Sequence, residues 1–187
     1  MQKRMVELTA YLDETRARLL ETASSINPGF ASIKPRANTW SAEQNMAHLT
    51  IVEERVEGLV TKSVAWAKAN GIGPETSEES VMASLDRFGV ADATFKFEAP
   101  PTVAPDAKPI AESLKSLTAS RARLKEALRE GDGIDLSQVK RTHLALGELD
   151  LYQWVLFVGQ HEERHRRQIE KTLNETMELA AECAPIV

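Results

Sequence analysis

Apolar residues return every three or four positions through four long stretches of this chain, and helices packed face to face are the simplest way to bury them. Met5, Leu8, Leu12, Leu19 and Ile26 mark the first stretch, from about Gln2 to Ser25, and Asn27-Pro28-Gly29 stops it. Ser41 with Gln44 three residues on has the form of a capping box. It opens a second helix whose stripe is Leu49, Val52, Val56, Leu59 and Val60 and whose stop is Asn70-Gly71. Pro109 suits the first turn of a third, carried by Ile110, Leu114, Leu117, Leu124 and Leu128 and interrupted on that face only by Arg121. Gly131-Asp132-Gly133 ends it. The fourth is predicted to start at Gly147, with Leu151, Trp154, Val158, His161, His165, Ile169 and Leu173 on one stripe. Residues 174–187 form a tail that either extends this helix or frays.

No repeat and no convincing strand pair interrupts the pattern, so the expected class is all-α, a four-helix bundle, with residues 1–187 as one domain. The link over 72–107 is long for a compact domain. It permits a crossover between helices 2 and 3. Within it, Glu78 to Arg87 suggests a short helix showing Val81, Leu85 and Phe88, and Thr94-Phe95-Lys96-Phe97 alternates like an extended segment. Phe95 and Phe97 suit either a seal along one edge of the bundle or a pocket wall. Trp40 and Trp66 are expected to pin the two ends of the second helix to the core.

Composition narrows the partners. Charged residues at 27% and hydrophobic ones at 42% describe an ordinary globular protein, and a net charge of −5 disfavours a nucleic-acid partner. The basic trio Arg164, Arg166 and Arg167 reads as a solvated helix face. Glu7, Asp13 and Glu14 interrupt the N-terminal segment, so no signal peptide or membrane span is expected, and a cytoplasmic location follows. Cys183 is the single cysteine, which rules out an internal disulfide and a cysteine metal cluster.

The candidate chemistry lies in the histidines. His161 and His165 are one turn apart on the apolar stripe of the fourth helix, so both should face inward. Buried imidazoles need partners for their ring nitrogens, and a shared cation supplies one. His48 sits at the edge of the second helix's stripe, and if helices 2 and 4 face each other the three nitrogens meet. Such a set suits zinc, nickel or iron better than calcium or magnesium. His143, in a loop, reads as a surface or helix-entry residue. His161-Glu162-Glu163-Arg164-His165 also satisfies H-E-x-x-H, the metallopeptidase pattern in which the glutamate is general base. Gln168 and Lys171 stand where the longer pattern needs glycine and histidine, and no edge strand is expected, so this reading ranks below the bundle.

The stretch Asn38-Thr39-Trp40-Ser41-Ala42-Glu43-Gln44-Asn45-Met46-Ala47-His48-Leu49 resembles a "W-S…HL" segment of the DinB-like (DinB/YfiT) superfamily. His143 to Gly147, leading to His161-x-x-x-His165 and Arg166-Arg167-Gln168-Ile169, resembles its closing "H-x-x-x-H…QI". Phe97-Glu98-Ala99-Pro100-Pro101 is similar to the inter-helix segment of some members. The resemblance runs from the first helix to about Leu173. It implies a metal-binding four-helix bundle, often a homodimer, with ligands at His48, His161 and His165. It also implies an activity like that of the thiol-dependent S-transferases and the mycothiol-dependent isomerase among its members, in which a low-molecular-weight thiol is activated.

The expected function is therefore a metal-dependent enzyme, of thiol-transferase or hydrolase type, acting on a small molecule. The alternative is a metal-binding, stress-associated protein without turnover. Glu162 is a candidate proton acceptor, although pairing with Arg166 on an exposed face is its simpler role. Arg55, two turns beyond His48, is a candidate contact for an anionic substrate or a plain surface charge. Tyr152 and Trp154 are candidates to line the pocket, with core packing the safer assignment for Trp154.

Overall fold

Each of the four stripes becomes the buried face of a helix in the computed structural model, which describes residues 1–94 and 100–182. The helices are α1 (Lys3–Ser24), α2 (Ala42–Ala69), α3 (Ile110–Glu130) and α4 (Leu151–Glu182). The capping box opens α2 as expected: Gln44 N–H donates to Ser41 Oγ, and Ser41 N–H donates to the Gln44 side chain, each at 3.2 Å. Residues 174–182 of the C-terminal tail extend α4, which continues to Glu182, and the rest of the tail lies outside the described residues.

Side-chain pairs fix the topology. Thr15 and Thr22 of α1 meet Glu162 and Glu170 of α4 in rising order, so these two helices run parallel. Glu53 and Lys68 of α2 likewise meet Arg121 and Glu130 of α3. Between α2 and α4 the order reverses, with Asn45 on His165 and Trp40, just before α2, on Thr172. The bundle is thus up-down-down-up, and the 72–107 link is the crossover that carries the chain back along its length before α3. Gly159 lets α1 and α4 approach closely, because a Cβ there would sit 2.5 Å from the Tyr11 ring.

Three expectations need correction. Lys140–His143 (β1) and Gly147–Asp150 (β2) form an antiparallel hairpin where none was expected, and α4 starts only after it. Gly147 has φ +79, a backbone region that favours glycine, so it closes the hairpin turn instead of opening the helix. Glu78 to Arg87 forms turns and a single 3₁₀ turn at Asp86–Phe88, although Val81 and Leu85 are buried as expected. Trp66 is 45% exposed with the Arg141 guanidinium over its ring, so it does not pin α2 to the core. The extended reading of Phe95-Lys96-Phe97, the segment through Ala99 and Cys183 fall outside the described residues.

The core is divided. One apolar cluster gathers Leu8, Leu12, Val56, Leu124 and Val155, and a smaller one gathers Leu19, Met46, Leu49, Leu117 and Ile169. Between them lies a charged layer with one member from every helix. Arg16 Nε donates to Glu162 at 2.6 Å and its Nη2 to Glu53 at 2.7 Å. Arg121 donates to Glu53 at 2.9 and 3.1 Å and to Glu162 at 3.0 Å. Two cations and two anions cancel, and every carboxylate oxygen has a partner, which is the condition for burying charge at tolerable cost.

Candidate metal centre

Because α2 and α4 are antiparallel, the turn of α2 carrying His48 falls opposite the turn of α4 carrying His161 and His165. Nitrogen atoms of the three rings lie within 4.8 Å of one another, an arrangement that could hold a metal ion. His48 Nε2 and His161 Nε2 are 3.2 Å apart. Two nitrogens bound to one tetrahedral ion at about 2.0–2.1 Å would themselves be about 3.3–3.4 Å apart, so this spacing already fits.

The outward nitrogens settle the tautomers of two rings. His48 Nδ1 is 2.8 Å from the Val103 carbonyl oxygen, which can only accept, so Nδ1 carries the proton and Nε2 keeps its lone pair. His165 Nδ1 is 2.9 Å from Asn45 Oδ1. The Asn45 amide is oriented in turn, since its Nδ2 donates to the Ser41 carbonyl at 3.0 Å. His165 Nε2 is therefore also a lone pair. Backbone and amide oxygens behind metal-binding imidazoles commonly fix ring orientation in this way.

Burial lowers the pKa of His48 against the opposing pull of its bond to Val103. His161 and His165 are held well below the ordinary histidine value, by burial first and by neighbouring histidines and Arg164 next. All three are thus neutral donors. Trp40 stands 4.8 Å from the His48 ring and stacks on His165 at 6.0 Å, while Phe157 stacks on His161 at 5.2 Å. These contacts brace the cluster at both ends.

The histidines open onto a cavity of about 670 Å³, a size typical of small-molecule sites. Trp40 and His143 take roles the sequence did not suggest, and the residues it offered for the pocket divide. Trp40 reaches the site as well as the helix start. His143 lines the cavity wall, its ring 4.7 Å from Phe157 and its Nδ1 accepting N–H bonds from Ala145 and Leu146. Trp154 lines the wall and donates to the Arg141 carbonyl at 3.2 Å, whereas Tyr152 points away and donates to Glu75. Arg55 is exposed at the cavity edge and donates to the Thr102 carbonyl.

Glu162 is not an exposed partner of Arg166. It is 1% exposed and belongs to the charged layer, with Thr15, Arg16 and Arg121 around its carboxylate, which removes it from the general-base role that H-E-x-x-H requires. Arg166 pairs instead with Glu163 and Glu170. The basic trio is not a solvated face either: Arg164 is buried and donates to the Asp92 carbonyl, and Arg167 pairs with Glu163. Asn45 went unremarked in the sequence. Its signal was a polar residue one turn before His48 on the same inward face.

No helix among the described residues is long and apolar enough to cross a membrane. No curated protein matches the sequence. Among solved structures, one described as "Crystal structure of TT2238, a four-helix bundle protein" is similar with a TM-score of 0.56 and 20% identity, covering 89% of this chain and 98% of that one. At that identity the likeness speaks for the fold alone. The profile of the DinB superfamily matches residues 11–169, a span that holds all three histidines, Trp40 and the whole charged layer, and the chain belongs to that superfamily.

Proposed function

We propose that His48, His161 and His165 bind a divalent transition metal, zinc, nickel or iron, and that the protein is an enzyme of thiol-transferase or hydrolase type acting on a small molecule. One observation carries this reading. Two imidazoles with carbonyl-fixed tautomers turn their lone pairs, beside a third, toward one point at the wall of a large cavity. When bound, such an ion lowers the pKa of a thiol or water enough to yield a nucleophile at neutral pH. The family resemblance favours a low-molecular-weight thiol as the co-substrate.

The chain's own residues supply the setting. Val103 and Asn45 hold His48 and His165 in the donor tautomer. Trp40 and Phe157 restrict the rings to one orientation. The cavity beside the donors leaves room for a reactant, which favours turnover over a closed structural site. Metal analysis of the purified protein beside His48→Ala and His165→Ala tests the reading. About one ion per chain is expected in the wild type, and little in either variant. Equal content in all three ends it. Turnover of electrophilic acceptors with bacillithiol, mycothiol or glutathione then separates the transferase from the hydrolase.

A further inference from the structure

The cavity is not uniform along its length, and its two halves differ in chemistry. On the side toward the C-terminus of α2, its walls are Val52, Val56, Leu59, Leu146, Trp154 and Phe157. These come from α2, the hairpin and α4, and they enclose an apolar chamber that begins directly beside His161, on which Phe157 stacks. On the other side of the histidines the walls are polar, with Asn38, Gln168, Lys171 and Glu175 among them. At the chamber's edge stands an exposed cation with no carboxylate partner among the described residues. Arg55 lies between Val52 and Val56 on α2, is exposed, and has the Thr102 carbonyl as its hydrogen-bond partner. A guanidinium has five N–H donors, so one carbonyl leaves most of the fork for a ligand. The other basic wall residues differ: Lys171 and Arg36 both lie near Glu175, at 3.9 and 3.6 Å, and Arg164 is buried and donates to the Asp92 carbonyl.

An apolar wall repels a charged or strongly hydrated reactant and rewards a ring or branched alkyl body, whose surface leaves water there. A planar guanidinium at the rim matches a carboxylate, sulfonate or phosphate. We propose that the chamber takes the apolar body of an amphipathic organic anion, with its charged group on Arg55 and its other end against the histidines. The polar half of the cavity is left for the co-substrate. This rests on the histidines being the reactive centre, but the binding preference itself does not need the metal.

Calorimetric titration with naphthalene-2-sulfonate and with 2-naphthylmethanol tests it. The sulfonate is a weak metal ligand, so a preference for it reports on Arg55 and not on an ion. In the wild type the sulfonate should bind about tenfold more tightly than the alcohol. Arg55→Gln should remove that preference and leave the alcohol unchanged. Leu59→Trp, which fills the chamber from a half-buried position, should weaken both at least tenfold while the far-ultraviolet circular dichroism stays the same. Equal affinity for the two probes in the wild type, or an unchanged preference in Arg55→Gln, overturns the proposal. So does undiminished binding in a folded Leu59→Trp. His165→Ala separates the two readings, because it should lose metal yet keep the probe preference. Retained metal with retained preference there would sink the metal reading and spare the chamber.

Discussion

At the scale of single residues, the site depends on groups that never reach the reactant. Asn45 is 2% exposed and joins the start of α2 to His165 through one amide whose oxygen and nitrogen are both used. Removing that amide frees the ring to flip and leaves Nδ1–H without its acceptor. Loss of such an outer partner commonly reduces metal affinity 10- to 100-fold. Asn45→Ala should fall in that range by competition with a chromophoric chelator, with the helical circular dichroism intact. Asn45→Asp should recover much of the affinity, since a carboxylate also accepts from Nδ1–H. Affinity unchanged in Asn45→Ala would mean that packing by Trp40 alone orients the ring. His48 has no side-chain counterpart, because its acceptor is the main-chain oxygen of Val103. No substitution at Val103 removes that oxygen, and no reading of side chains in the sequence reveals it.

At the scale of elements, the helices were legible because each one satisfies its own local rules. Leu8, Leu12 and Leu19 or Leu117, Leu124 and Leu128 declare a buried face without reference to a partner. The capping box at Ser41 and Gln44 and the paired histidines of α4 are local in the same sense, so they too could be read. The charged layer was not. Arg16, Glu53, Arg121 and Glu162 each interrupt a stripe, and in isolation each looks like a solvated charge at its edge. Their meaning exists only when four helices bring opposite signs together. The hairpin escaped for a related reason, since Lys140-Arg141-Thr142-His143 has no apolar alternation and pairs through its backbone. The layer also carries a prediction. Glu162→Gln keeps the shape of the side chain but leaves Arg16 and Arg121 short of a counter-charge, in a layer where Glu162 is 1% exposed and Arg121 is 4% exposed. Breaking a buried pair from one side typically costs about 3–5 kcal/mol. Urea unfolding should show a loss of that size with an unchanged slope. A loss under about 1 kcal/mol would mean that the layer is wet.

At the scale of the whole molecule, the histidines tie stability to pH, and the sign follows from which state binds protons more readily. In the unfolded chain they titrate near the ordinary value of about 6.5. In the folded chain burial, aided for His161 and His165 by neighbouring histidines and Arg164, lowers all three, and burial lowers His143 as well. As pH falls through about 6.5 the unfolded state gains protons that the folded state refuses, so stability falls with pH over that window and continues to fall until the folded sites protonate. Glu163 acts in a separate range. Burial pushes its carboxyl up, but the bonds and charges of Arg166, Arg167 and Arg18 outweigh this and hold it at about 2, so its contribution is lost only below the ordinary glutamate value. Asp150, raised by burial, opposes the trend from the acidic side. A melting series on metal-stripped protein between pH 7.5 and pH 5, in steps of about half a unit, isolates the histidines when it is repeated on His161→Gln with His165→Gln. The wild-type melting temperature should drop across the window, and the double variant should show a clearly shallower slope, with the remainder belonging to His48 and His143. Bound metal should raise the whole wild-type curve at neutral pH and lose that advantage on acidification, because protons and the ion compete for the same nitrogens. Parallel slopes in the two stripped proteins would show that the folded chain admits protons to the cluster as freely as water does, and the buried, neutral donor set on which the metal site depends would not exist.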